Sequence, residues 1–89
     1  MVHKRLDHEQ ETEYKGYTFH STLPGELIPE AFDRLMKMRA FVRAVENHLI
    51  SNEVLNDPII IDDYYVIVQI MHDKNIHLIP YTIDELKNI

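Results

Sequence analysis

Cysteine is absent, glycine occurs only twice, and no apolar run approaches the length of a membrane span. Without cysteine there is no disulfide scaffold, no thiolate zinc site and no cysteine nucleophile. Two glycines, Gly16 and Gly25, are too few for a phosphate-cradling loop. No Walker loop, GxGxxG run or nucleophile elbow is present either. A spanning helix needs roughly 18 apolar residues in a row, so no membrane partner is expected. The residues after Met1 are mostly charged or polar and carry no apolar core of a secretory signal, so the expected location is cytoplasmic. Positive charge is scarce as well. Nine Lys plus Arg against fifteen Asp plus Glu leave a net charge of −6, which argues against a general nucleic-acid binder.

What remains is an ordinary composition for one small domain: 89 residues, 45% apolar and 27% charged. Charge is uneven along it. Residues 1–29 sum to −2, residues 30–52 to +1, and residues 53–89 to −5. Residues 1–13 are polar, with Glu9, Glu11 and Glu13 alternating and little to bury beyond Val2 and Leu6. They read as a flexible acidic tail, because so little apolar area cannot offset the entropy of ordering. Residues 14–89 read as one α+β domain.

Within that domain Tyr14–Thr22 mixes aromatic and β-branched residues and predicts a strand. Leu23-Pro24-Gly25-Glu26 predicts a turn, with proline presetting φ and glycine supplying a positive one. Pro29 suits the first turn of a helix, and Glu30 and Asp33 complement its dipole. Leu35, Met38, Val42, Val45 and Leu49 recur every three or four residues, with Phe32 and Phe41 widening the stripe. They predict one long helix over about 29–50. Two strands follow: one ending in Tyr64-Tyr65-Val66-Ile67-Val68-Gln69-Ile70-Met71, the other being Ile76–Tyr81. Asp62 could instead cap a helix there, but β-branched crowding disfavours it. Pro80 cannot donate to a ladder, so the second strand should be an edge or end there. Thr82 and Glu85 have the spacing of a capping box opening a short C-terminal helix. The expected architecture is a small antiparallel sheet of about three strands on one long helix, with a short helix at the C-terminus.

Six His invite a metal reading. A two-residue turn at Lys74-Asn75 would set His72 opposite His77, with Asp73 nearby; a three-residue turn over 73–75 would set His72 opposite Ile76. Two His without a definite third ligand do not define a site, so no metal or cofactor is assigned. Asp62 and Asp63 are adjacent and cannot converge from one strand as a carboxylate pair; they read as a bulge or an edge guard. No catalytic residue is assigned, and an enzyme is not expected. Arg34, Lys37, Arg39 and Arg43 run without an intervening acid. They are either a solvated outer face or a patch for phosphate or an acidic partner.

The strand 64–71 carries the functional expectation. Its even positions are Tyr64, Val66, Val68 and Ile70, and its odd positions are Tyr65, Ile67, Gln69 and Met71. A strand with one wet face should alternate apolar and polar, and only Gln69 breaks the odd face. Each large side chain left in water forgoes about 1.5–3 kcal/mol, a large share of a stability of roughly 4–13 kcal/mol. One long helix covers one face; the short C-terminal helix could cover part of the other, but a partner surface, most simply a second copy, is the favoured cover. The expected function is therefore a small intracellular protein-interaction or regulatory module, acting as a homodimer. Tyr65, Ile67, Met71, Arg39 and Arg43 are its candidate contact residues. The alternative is a small-molecule or metal binder using His and Tyr residues near the 72–77 hairpin.

Overall fold

The computed structural model describes residues 4–46, 53–55 and 57–87. In chain order they form β1 (Gln10–Tyr14), β2 (Tyr17–Ser21), a 3-10 turn (Gly25–Leu27), α1 (Ile28–Met36), α2 (Arg39–Glu46), β3 (Glu53–Val54), β4 (Ile59–Ile61), β5 (Tyr64–Ile70), β6 (Asn75–Thr82) and α3 (Ile83–Lys87). The strands run β1-β2-β6-β5, and β3 and β4 share the far side of β5. The fold is α+β, but the sheet is five strands wide and mixed: β2 and β6 are parallel, all other neighbours antiparallel.

This corrects the expected three-stranded antiparallel sheet. The missing strands lie where polar composition hid them. Residues 10–13, expected at the end of a flexible tail, join Tyr14 in β1, which pairs with β2 from Gln10↔Ser21 to Tyr14↔Tyr17. The alternating glutamates turn Glu11 and Glu13 to solvent, while Thr12 and Tyr14 lie half-buried on the other side. Upstream, Leu6 N–H donates to the Thr22 carbonyl at 2.6 Å, and the Arg5 guanidinium donates to the Pro80 carbonyl at 2.9 Å. The single strand expected over 14–22 is instead split by a two-residue turn. Lys15 and Gly16 take φ of 54° and 87°, the pair of positive angles that tight hairpins use and that glycine tolerates without strain.

The long helix is also corrected, because α1 stops at Met36 and α2 starts at Arg39; residues 47–50 lie outside the described residues. Lys37 and Met38 close α1 with N–H bonds to the carbonyls three residues back, and the Met38 carbonyl then accepts from Val42. Helical geometry supplies the reason. Phe41 follows Leu35 by six positions, about 120° away around a straight helix, so one helix that buried Leu35 would leave Phe41 at the margin of its apolar stripe. The break lets both reach 0% exposure. Phe41 packs on Tyr17 with ring centroids 6.0 Å apart, and Phe32 packs on Tyr14, Tyr17 and Phe19.

The core lies between this helical layer and one sheet face: Phe19 from β2, Ile59 and Ile61 from β4, Val66, Val68 and Ile70 from β5, Ile76 and Leu78 from β6. Ser21, buried among them, donates its hydroxyl to the Leu78 carbonyl at 2.6 Å and accepts from Leu23 N–H at 2.9 Å. The Pro24-Gly25 segment does not use a positive glycine φ; it winds as the 3-10 turn that leads into α1. Asp62 and Asp63 are neither bulge nor edge. They form the turn from β4 to β5, with φ of 55° at Asp62.

Nor is β6 an edge strand, as it runs between β2 and β5. Pro80 is tolerated because the β2 ladder ends at Ser21↔Leu78, so no strand needs its missing N–H. The predicted capping box is present: Glu85 N–H donates to Thr82 Oγ1 and Thr82 N–H to Glu85 Oε1, both at 3.1 Å. Among the described residues no helix is long and apolar enough to cross a membrane.

Candidate functional site

The side-chain period of two divides the central strands cleanly. Tyr64, Val66, Val68 and Ile70 are at most 3% exposed beneath α1 and α2. Tyr65, Ile67 and Gln69 point the other way and are half-buried, as is Met71 just beyond the strand. On β6 the same alternation hides Ile76, Leu78 and Pro80 and leaves Asn75, His77, Ile79 and Tyr81 half-buried. These residues form a sheet face opposite the helical layer, and α3, at the end of β6, buries no side chain to cover it.

Strand register arranges this face in rows. Tyr65 stands opposite Tyr81, with Ile60 of β4, 52% exposed, on its other side. Ile67 stands opposite Ile79. In the next row Gln69 faces His77, His77 faces His20, and His20 faces Glu11. One end of the face is therefore aromatic, the middle aliphatic and the far end imidazole and carboxylate.

That polar end is held in place by the β5–β6 turn. Asp73 and Lys74 take φ of 57° and 61°. Met71 N–H donates to the Asn75 carbonyl, while Asn75 N–H donates to that of His72, so two residues oppose one. This bulged register is neither of the two expected; it pairs His77 with Gln69 and leaves His72 exposed in the turn. The Asn75 amide donates to the His72 and Asp73 carbonyls at 2.7 and 3.3 Å, so its Oδ1 is free to accept from His20 Nε2–H at 2.7 Å. His20 Nδ1 then faces Glu11 Oε1 at 3.6 Å, and His77 Nε2 lies 3.1 Å from Glu9 Oε2. Among the described residues no three His, Asp or Glu converge as metal ligands.

Arg39 and Arg43, expected as contacts alongside Tyr65, Ile67 and Met71, are not brought to this face. They lie exposed on α2, bordering a shallow depression with Lys37, Met38 and Val42. Conversely, sequence reasoning missed Ile79, Tyr81, His20, Glu9 and Glu11. The first two were visible as the odd positions of β6; His20 needed the parallel β2–β6 pairing, which joins segments far apart in sequence, and Glu9 and Glu11 needed the ordering of the segment before β2.

Two groups, one in the core and one on α3, titrate away from their ordinary values. Burial raises the Tyr64 phenol, with the nearby Arg5 charge and a backbone hydrogen bond from Arg5 opposing the shift in part. The backbone hydrogen bond from Thr82 lowers the Glu85 carboxyl, and Arg5, paired with it at 2.6 Å, adds to the shift. No family model, no curated protein and no solved structure matches the chain.

Proposed function

We propose that this chain is a small cytoplasmic interaction module, without chemistry of its own, that works as a homodimer joined through the sheet face that no described helix covers. The observation that carries the reading is the contiguous set Ile60, Tyr65, Ile67, Ile79 and Tyr81 on the side away from the helices. A second copy fits it because the rows are self-complementary. A two-fold axis through the Ile67–Ile79 row lays aliphatic on aliphatic and exchanges the rows on either side. The Tyr65 and Tyr81 hydroxyls of one copy then meet the row of Gln69, His77, His20 and Glu11 of the other. Phenol donors facing carboxylate and imidazole acceptors give the fixed register an isologous interface requires.

Light scattering after size exclusion tests this. The wild-type chain at tens of micromolar should run at twice its 10.6 kDa mass. Ile67→Glu should run as a monomer with an unchanged far-ultraviolet circular dichroism spectrum, since Ile67 lies outside the buried core. A wild-type monomer at that concentration overturns the proposal, as does a dimer that survives Ile67→Glu.

A further inference from the structure

A second surface is unlike the rest of this acidic molecule. Arg34 and Lys37 at the end of α1, with Arg39 and Arg43 on α2, are exposed and form no ion pair among the described residues. The break between the two helices sets them around one apolar seam. Met38 and Val42 line the depression on the α2 side; Met38 lines the adjoining one together with Pro58, Ile59 and Ile60 of the β4 segment, and Lys37 borders both. Along that seam runs a sheet edge. β4 pairs with β5 on one side, and no described strand pairs with its other side.

The two edges of the sheet are guarded differently. The outer strand β1 presents exposed Glu11 and Glu13, which repel an incoming acidic strand. β4 is Ile59-Ile60-Ile61, with no charge of its own between Asp57 and Asp62, and with Arg34 and Lys37 in the depression beside it. An unpaired apolar edge is a template for strand addition, in which main-chain hydrogen bonds give affinity and flanking side chains give selectivity. From this we infer that the free edge of β4 receives an extended, acidic peptide segment of a partner protein. Its apolar side chains lie on Met38 and Pro58, and its carboxylates meet Arg34 and Lys37 beside β4 and Arg39 and Arg43 along the adjoining depression. This site lies on the helical side of β4 and meets the proposed dimer face only at Ile60, which borders both; it does not depend on the dimer.

The test uses the full chain and fluorescence anisotropy with a labelled peptide of alternating glutamate and leucine. Two comparison peptides alternate glutamate with serine and lysine with leucine. The first peptide should bind saturably, the second about tenfold more weakly, and the third not at all. Charge reversal at two exposed positions, Arg39→Glu with Arg43→Glu, should weaken binding tenfold or more, and raised salt should weaken it in the wild type. Amide chemical-shift changes and slowed exchange should centre on Ile59–Ile61 and the Lys37–Met38 junction.

Ile67→Glu should leave peptide binding unchanged, so that failure of the dimer and failure of this site are read separately. The inference is overturned by absence of saturable binding, by equal affinity in the double charge reversal, or by shift changes confined to the sheet face of Ile67 and Ile79. A single-stranded oligonucleotide binding as tightly as the glutamate–leucine peptide would also overturn it, by showing that the cations select phosphate charge rather than a strand.

Discussion

Replacing Phe41 by alanine, beside Val42 by alanine, tests the helix break directly. If α1 and α2 were one straight helix, Val42 would sit on the buried stripe with Leu35, Met38 and Val45, and Phe41 would lie at its margin. The structure reverses this order, with Phe41 at 0% exposure and Val42 only half-buried. Removing a fully buried phenylalanine ring costs about 3–5 kcal/mol through lost burial and the cavity left behind. The Tyr17 contact falls within that figure. At Val42 the change deletes two half-exposed carbons, worth below about 1 kcal/mol, and alanine's helix propensity offsets part of that. A domain of this length is stable by roughly 4–13 kcal/mol in total, so Phe41→Ala should leave it near its unfolding threshold. Phe41→Leu, which keeps most of the volume, should cost below about 1.5 kcal/mol and gives a measurable variant if the alanine one does not fold. Urea titrations followed by circular dichroism supply the free energies. A Val42→Ala cost equal to or above that of Phe41→Ala would refute the reasoning.

Two further outcomes concern single residues. Burial raises the Tyr64 phenol above its ordinary 10.0, so the neutral form is favoured in the fold. The associated stability is full below pH 10.0 and lost as the pH climbs through the raised value; Tyr64→Phe should flatten that alkaline decline in a series of thermal melts. Lys74 holds a φ of 61° in the β5–β6 turn. Lys74→Gly should therefore stabilise the chain by about 0.5–1 kcal/mol, the left-handed penalty exceeding glycine's entropic cost, as read from the urea midpoint.

The parts legible in the sequence are those governed by short-range periodicity. The alternation 64–70 named the buried and open sides of β5 residue by residue, and Thr82 with Glu85 announced the reciprocal cap of α3. What escaped depends on partners distant along the chain. Glu9, Glu11 and Glu13 alternate as a strand does, yet their polarity resembles a solvated tail until Thr12 and Tyr14 acquire β2 as a neighbour. The helix break carries no glycine or proline; its signal was Phe41 standing off the stripe of Leu35 and Val42, an aromatic too large to leave at the margin. The polar row of the open face was hidden for a similar reason. His20 and His77 become neighbours only through parallel pairing, whereas the eye groups His72 with His77 because they are near in sequence.

That parallel pairing has a consequence for how the chain is made. Ser21 reaches across 57 positions to the Leu78 carbonyl, so the hairpin synthesised early waits for a segment synthesised late. A lone two-stranded ribbon is marginal in water, and Phe19, packed on Phe32 of α1, gains its strand neighbour only when β6 arrives. Translation would thus leave the β1–β2 hairpin only partly sheltered while residues 22–74 are made. Such a nascent chain is the kind of client that holdase chaperones grip, and its final docking step should be slow beside the closing of the local β5–β6 ribbon.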